Sequence, residues 1–482
     1  MTDCLFAGRD DKIRTCDHTP PRRVRYQLRY IPFCGCKGMA FFCSDQIFSV
    51  ILYPKTEKSM EIRINPASLM RGKVVLPASK SISNRALIIY ALSREKAHHD
   101  GGLFDGLQHI SDCDDTQVMW NALTRSHGQI DIKAAGTAMR FLTAYLCTRE
   151  GVHEITGTAR MKQRPIGVLV DALRRLGAQI EYVENEGFPP LRITGGQLKG
   201  GQLELPAGVS SQYVSALLMI GPTLACGLQL RLVGEIVSRP YIEMTLHIMR
   251  QFGAKAAWTS EDCIQVEPGG YSPLPYYIES DWSASSYWYE MVALSDDEKA
   301  EVILPALFSE SLQGDCAIRQ IFAQLGVSTT FLTDEDGVEC ACLRKEGKAA
   351  ERMEYDFTHQ PDLAQTLVAT CAALGIPFRF GGLQSLKIKE TDRMAALRTE
   401  LGKLGYDIVE SNGSVLTWDG SRHKVDHPLP ADTYEDHRMA MAMAPLALKE
   451  GQLRMNNPEV VSKSYPSFWD HLRQVGFKIE QS

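Results

Sequence analysis

Three short segments, hundreds of residues apart, each set Lys or Arg among hydroxyls or carboxylates: Lys80-Ser81-Ile82-Ser83-Asn84-Arg85, Lys389-Glu390-Thr391-Asp392-Arg393 and Asp436-His437-Arg438-Met439. Such mixtures suit chemistry on phosphorylated anions, where cations hold the charge and carboxylates or amines move protons. Taken singly, each is also what a capped helix with solvated charges looks like. His437, beside Arg438, reads either as a proton carrier or as a hydrogen-bonding scaffold residue.

Positioning these groups requires defined elements. In the first segment, Val74-Val75-Leu76 predicts a strand, Pro77-Ala78-Ser79 a break, and residues 86–92 an apolar helix. The polar residues then fall at a helix N-terminus, whose free N–H groups and dipole attract an anion. Ser210-Ser211-Gln212 precedes the apolar stretch 213–219 and places hydroxyls at another helix start. On a helix, Lys389 and Arg393 are four residues apart and share a face. Asp362, after Pro361, fits a turn.

A longer pattern organises the chain. Apolar helical stretches end in Gly and lead into strand-like alternation at Gly177, Gly253, Gly326, Gly405 and Gly476, with intervals of 76, 73, 79 and 71 residues and a weaker copy at Gly128. Gly at a helix C-terminus accepts the left-handed conformation that ends the helix. The spacing predicts about six repeated α/β modules from Met60 onward.

Composition bounds the function. The chain has 482 residues, 44% hydrophobic and 23% charged, with 52 Lys and Arg against 58 Asp and Glu for a net charge of −6. No global basic field exists for nucleic acid or a membrane surface, so any anion must be held by local clusters. Residues 1–59 differ in kind, with ten Lys or Arg against six Asp or Glu and five of the 13 cysteines. Their apolar run near 41–52 is too short to span a membrane. Cys34, Cys36 and Cys43 lack the pairing of a metal site. Residues 13–23 read like a translated transfer-RNA gene, so the segment is expected to be an extension outside the fold, with Met60 as the start of the alternating strand Glu61-Ile62-Arg63-Ile64-Asn65. The other cysteines are scattered as in reduced, cytoplasmic proteins.

Read in order, the motifs resemble the enolpyruvyl transferase family, and within it the EPSP synthases (3-phosphoshikimate 1-carboxyvinyltransferases). The likeness runs from Glu61 to the C-terminus. Besides the segments above it includes Asp112-Cys113-Asp114-Asp115, Ala135-Gly136-Thr137-Ala138-Met139-Arg140, the run from Arg160 to Gly167, Val237-Ser238-Arg239-Pro240-Tyr241, Pro361-Asp362 and Lys463. The resemblance implies an α/β fold, a two-domain inside-out α/β barrel of six βαβαββ-type units. One domain would comprise residues 60–78 with 282–482 and the other 79–281, with chain crossings near Pro77 and Asp281 and substrates between them.

The implied reaction moves the enolpyruvyl group of phosphoenolpyruvate to the 5-hydroxyl of shikimate 3-phosphate, through a tetrahedral ketal. It lies on the shikimate pathway to chorismate and aromatic amino acids and is the target of glyphosate. No metal or other cofactor is implied, the partners are these small molecules only, and a cytoplasmic monomer is expected. Residue by residue, the resemblance assigns phosphoenolpyruvate to Lys80, Gly136, Thr137, Arg164, Gln212, Arg393, Arg438 and Lys463. It assigns shikimate 3-phosphate to Lys80, Ser81, Arg85, Ser210, Ser211, Gln212, Ser238, Tyr241, Asp362 and Lys389. The proton-transfer groups are Asp362, Glu390 and Lys80; Asp362 is matched to the 5-hydroxyl, while Glu390 and Lys80 both remain open for the methylene carbon.

The chain departs from the family at Ala134 (usually Asn), Phe141 (usually Pro), and Ser385 and Lys387 (usually Asn and Arg). Altered loop geometry beside the donor site follows as an expectation. Two rivals share some of these features. UDP-N-acetylglucosamine enolpyruvyl transferases carry a reactive Cys in a mobile loop, and the loop 160–164 has none. A non-catalytic polyanion binder needs a basic stripe with stacking aromatics, which is absent.

Overall fold

The computed structural model describes residues 60–94, 102–124, 128–208 and 210–481. The expectations for residues 1–59 and their cysteines lie outside the described residues.

Residues 129–195 exhibit the building unit. Strand Gln129–Asp131, helix Gly136–Cys147, strand Gly151–Thr156 and helix Gly167–Arg175 lead into two more strands, Gln179–Tyr182 and Leu191–Gly195. The first two strands are parallel, with Ile130 opposite Ile155. The last strand lies antiparallel beside the second, Ile155 opposite Leu191, and the third closes the edge. This βαβαββ order and sheet topology recur in residues 201–266 and 353–418, and in a unit whose first strand, Arg71–Lys73, lies far ahead of the remainder at 282–345. A fifth unit takes its last strand, Glu61–Asn65, from the opposite end of the described chain, where Ile62 pairs with both Met455 and Gln481. The sixth keeps a two-stranded parallel sheet among the described residues, Leu107–Gln108 beside Tyr276–Tyr277.

The glycines that suggested the repeat do what the spacing predicted. Gly177, Gly253, Gly326, Gly405 and Gly476 take φ of 104°, 86°, 80°, 96° and 102°, and Gly128 takes 111°. A Cβ strains that region, so Gly there reverses the chain from helix to strand without penalty.

In each unit the first helix is apolar nearly all round and is buried, as such a helix must be. Helices Lys80–Ser93, Gly136–Cys147 and Ser211–Ile220 form the centre of one apolar cluster, built from residues between Ala78 and Ile278. Helices Trp282–Leu294, Ala364–Leu374 and His437–Met443 form the centre of another, built from residues 62–76 and 282–477. The sheets enclose the helices, the reverse of an ordinary α/β barrel. Where the clusters meet, Ala78 bridges Ser280, Ser79 N–H donates to the Glu279 carbonyl (2.8 Å) and Asp281 N–H donates to the Pro77 carbonyl (2.9 Å).

Two local expectations are corrected. The strand expected at Val74-Val75-Leu76 ends at Lys73: Val74 still donates to the Ile303 carbonyl (2.9 Å), but Val75 is exposed and the chain is already turning toward Pro77. Lys389 and Arg393 do not share a helix. A 3-10 turn, Gln384–Ile388, ends at Lys389 in extended conformation, and the next helix, Arg393–Lys403, starts only after Asp392, whose carboxylate accepts from Ala395 N–H and caps it.

Candidate active site

The six buried helices start on the same side. The helix beginning at Lys80, Gly136, Ser211, Trp282, Ala364 or His437, or the turn just before it, contributes to one cavity of about 470 Å³ between the two apolar clusters. Six helix N-termini facing one volume make a strongly anion-attracting field before any side chain is counted.

Cations reinforce it. Lys80, Arg85, Arg140, Arg164, Lys389, Arg393 and Arg438 line the cavity, together with Ser81, Gly136, Thr137, Ser210, Ser211, Gln212, Ser238, Tyr241, Asp362 and Glu390. Of the residues assigned from the resemblance to the substrates or to proton transfer, Lys463 alone is not on the wall; it stands behind Glu390, with Nζ 3.2 Å from Oε1. Convergence of Lys389 and Arg393 therefore survives without the shared helix face, because both reach Asp362.

The carboxylates are tightly engaged. Asp362 lies near Arg438 (3.0 Å), Arg393 (3.2 Å) and Lys389 (3.4 Å). Burial opposes its ionisation, but Arg438, Lys389 and Arg393 outweigh burial and hold its carboxyl far below the usual range. Glu390 accepts from Arg393 (3.0 Å) and Lys463 (3.2 Å), with Arg164 at 3.9 Å, and is likewise held well below its usual range against burial. Lys80 pairs with Asp115 at 3.1 Å; burial lowers its pKa, and that neighbour more than restores it, so the ammonium stays charged. His437 lines the cavity with neither ring nitrogen hydrogen-bonded among the described residues. Burial, then Lys80, Arg438 and Lys463, depress its pKa well below the usual value, so it is a neutral imidazole rather than a hydrogen-bonded scaffold.

Some assigned groups have little freedom. Arg85 is 3% exposed and already donates to Thr245, Ser215 and the carbonyls of Ser81 and Tyr241. Its guanidinium lies 5.3 Å from the Phe141 ring centroid, which gives the Phe in place of the family's Pro a packing role. Arg164 is freer: its Nε has no hydrogen-bond partner among the described residues, and its guanidinium presses on Gly136. Ser385 lines the cavity, whereas Lys387 does not; its ammonium is 2.6 Å from Glu410.

Several participants have partners that the sequence around them does not announce. Asp436, fully buried, grips Arg393 through both oxygens (2.7 and 3.2 Å). Asp281 accepts from Ala284 N–H (3.0 Å) and Lys80 N–H (3.1 Å), so it caps one buried helix and steadies the start of another. Arg160 reaches across the cleft to the carbonyls of Glu390 (3.1 Å) and Lys389 (3.5 Å). An N-cap pattern ahead of Ser283 was available for Asp281.

Comparison with known proteins agrees with this geometry. Residues 64–472 match the model of the family described as EPSP synthase (3-phosphoshikimate 1-carboxyvinyltransferase). A 3-phosphoshikimate 1-carboxyvinyltransferase of Bacteroides fragilis is 56% identical over 421 residues, 87% of this chain and 99% of that protein. One of Vibrio cholerae is 35% identical over 444 residues, covering 86% and 99%. Among solved structures, an EPSP synthase from Acinetobacter baumannii superimposes with a TM-score of 0.69 at 22% identity over 88% of this chain and all of that one. The enolpyruvyl transferase NikO from Streptomyces tendae gives 0.64 at 14%, over 88% of this chain and 99% of that one. These two likenesses concern the fold alone.

Proposed function

Because the chain belongs to the EPSP synthase family, the 3-phosphoshikimate 1-carboxyvinyltransferases, and transfers the enolpyruvyl group of phosphoenolpyruvate to the 5-hydroxyl of shikimate 3-phosphate with release of phosphate, we propose a division of labour within the cavity described above. The observation that carries it is the convergence of six helix N-termini and seven cationic side chains of the described residues on one cleft that also holds Asp362 and Glu390.

The donor's phosphate and carboxylate are held by Lys80, Arg164, Arg393, Arg438 and Lys463, by Gln212, and by the free N–H groups at Gly136 and Thr137. Arg matches either anion two oxygens at a time. The acceptor is held by Lys80, Ser81, Arg85, Ser210, Ser211, Gln212, Ser238, Tyr241 and Lys389. Asp362 takes the 5-hydroxyl proton as the oxygen bonds to the central carbon of the donor, while Glu390 or Lys80 delivers a proton to the methylene carbon. The resulting ketal collapses when a methyl proton is removed and the bond to the phosphate oxygen breaks. The charge stabilisation comes from fixed side chains and helix ends.

Two apolar clusters support a division into domains at 60–78 with 282–482, and 79–281. The eight cysteines of the described residues are unpaired, in keeping with a cytoplasmic protein. Among the described residues no helix is long and apolar enough to cross a membrane, and no cluster of His, Cys, Asp or Glu could hold a metal ion.

The test is phosphate release, expected only with phosphoenolpyruvate and shikimate 3-phosphate together and undiminished by EDTA. Turnover with UDP-N-acetylglucosamine instead, or a requirement for added metal, refutes the reading.

A further inference from the structure

A buried acid touches the acceptor half of the site from behind the cavity wall. Asp315 lies in the turn Gly314–Ala317 and is 2% exposed. Its Oδ1 and Oδ2 are 3.3 and 3.5 Å from the Tyr241 hydroxyl, and Ser283 Oγ donates a short hydrogen bond to Oδ2. Tyr241 belongs to the helix Arg239–Gln251 in one apolar cluster, while Asp315 and Ser283 belong to the segment 282–345 of the other, so the contact crosses the cleft. Tyr241, Ser283, Asp281, Asp362 and Arg438 line the cavity, and Asp315 does not.

The same residues, with Tyr355, supply the charges and titratable groups that face Asp315. Burial first, then the charge of Asp362, push its carboxyl up to about 6, with Arg438 and the Ser283 hydroxyl opposing. The Tyr241 phenol is kept protonated by burial and by the charges of Asp315 and Asp362. A phenol has one proton to donate. While Asp315 is ionised, that proton turns toward it, although 3.3 Å is long for an O–H···O bond and leaves the hydroxyl able to swing. An acceptor with a phosphate and a carboxylate brings further negative charge beside Asp315, which favours its neutral form.

We propose that Asp315 is a positioning residue for the acceptor site: it orients the Tyr241 hydroxyl, and entry of the polyanionic acceptor draws a proton from solvent onto Asp315, releasing Tyr241 to donate to the acceptor. Protonated Asp315 becomes a donor toward the Tyr241 oxygen, so the pair inverts its hydrogen bond without any covalent change. The inference rests on the acceptor reading above, in which Tyr241 holds shikimate 3-phosphate.

Titration calorimetry of shikimate 3-phosphate into the full chain, without phosphoenolpyruvate and in buffers of different ionisation heat, counts the protons taken up. Wild type is expected to take up as much as one proton more than Asp315→Asn. Its dissociation constant should climb above pH 6 by up to about tenfold per pH unit, the limit for one proton, and this component should be missing in the variant. At pH 5, where Asp315 is already neutral before the acceptor enters, Asp315→Asn in a Tyr241→Phe background should change acceptor affinity little, because the effect that remains acts through the hydroxyl. Equal proton counts in wild type and Asp315→Asn, additive effects of the two substitutions, or a weakening by the same factor at every pH overturn the proposal. Should Asp315→Asn not fold, Ser283→Ala provides the reading: loss of a donor to the ionised form should move the uptake profile to higher pH, and an unmoved profile overturns the role. Failure of phosphate release with both substrates would refute the function itself, whereas an active enzyme with equal proton counts refutes only the role of Asp315.

Discussion

Replacing Asp362 by Asn is expected to slow turnover and tighten the donor together. The carboxylate stands 3.0 Å from Arg438 and 3.2 Å from Arg393, two of the cations assigned to phosphoenolpyruvate, and 3.4 Å from Lys389. An incoming donor carboxylate must share those guanidinium groups with Asp362. Two unit charges about 5 Å apart at an effective dielectric near 20 repel by about 3 kcal/mol, of which roughly half survives solvent and neighbouring charges. Asn keeps the shape and removes the repulsion, so the donor should bind about five- to thirtyfold tighter, by about 1–2 kcal/mol. Loss of the general base should lower kcat by about 10²–10⁴-fold. Donor affinity is read by equilibrium binding without acceptor, turnover by phosphate release, and fold by the melting temperature. Tm should fall, because Arg393 and Arg438 lose a buried partner. Tighter binding in a less stable protein separates lost repulsion from general damage. Weaker donor binding, or turnover within tenfold of wild type, refutes the placement of Asp362 as base among the donor's cations.

A Cβ added at Gly136 would meet Arg164 Nη1 at 2.6 Å and Cζ at 2.9 Å, so Gly136→Ala must push the guanidinium aside. Loss of one charge-assisted contact, about 1.5–3 kcal/mol, should raise KM for phosphoenolpyruvate at least about tenfold, with KM for the acceptor little changed and competitive inhibition by glyphosate weakened; an unchanged donor KM refutes the contact. Glu290 is fully buried with neither oxygen hydrogen-bonded among the described residues, and burial raises its pKa well above the ordinary 4.5. The folded state keeps a proton that the unfolded state releases, so stability present below the unfolded pKa is lost as pH climbs toward the folded one, by up to about 1.4 kcal/mol per pH unit. Glu290→Gln should therefore match wild type in Tm near pH 4.5 and exceed it increasingly at higher pH; parallel Tm curves would contradict a buried neutral acid.

Much of this was legible because helix ends leave strong local marks. Gly at the C-terminal end announced each helix-to-strand reversal, and all six glycines took positive φ. Hydroxyl and cationic residues before apolar runs marked the starts at Lys80, Ser211 and His437. The errors were local too. The apolar run Val74-Val75-Leu76 has strand propensity, but the partner strand Glu301–Pro305 pairs with the three residues before it, Arg71 to Lys73. Four-residue spacing suggested a helix through Lys389, yet Asp392 is a stronger start signal, since its side chain caps Ala395 N–H at 3.0 Å. The partners of Asp115, Asp315 and Asp436 were illegible for another reason. Each acts by what it touches across the fold, Lys80, Tyr241 or Arg393, and nothing adjacent in sequence encodes that partner.

The repeat and the chemistry are one argument. Each unit buries its first helix, and enclosing sheets leave only the N-terminal ends open, so six copies arranged in two clusters focus six positive dipole ends on one cleft. Adding so many cations to that volume would destabilise the empty protein unless counter-charges were built in. Asp115, Asp362, Glu390 and Asp436 provide them, at 2.7 to 3.4 Å from Lys80, Lys389, Arg393, Arg438 and Lys463. A cavity lined only by cations would bind phosphoenolpyruvate more tightly, yet it would leave no base to take the hydroxyl proton and would trap the phosphate product. On this reading Asp362 serves twice: it balances the site while it is empty, and it takes a proton once substrate anions have taken over its cations, which is why removing it should strengthen donor binding and slow chemistry at the same time.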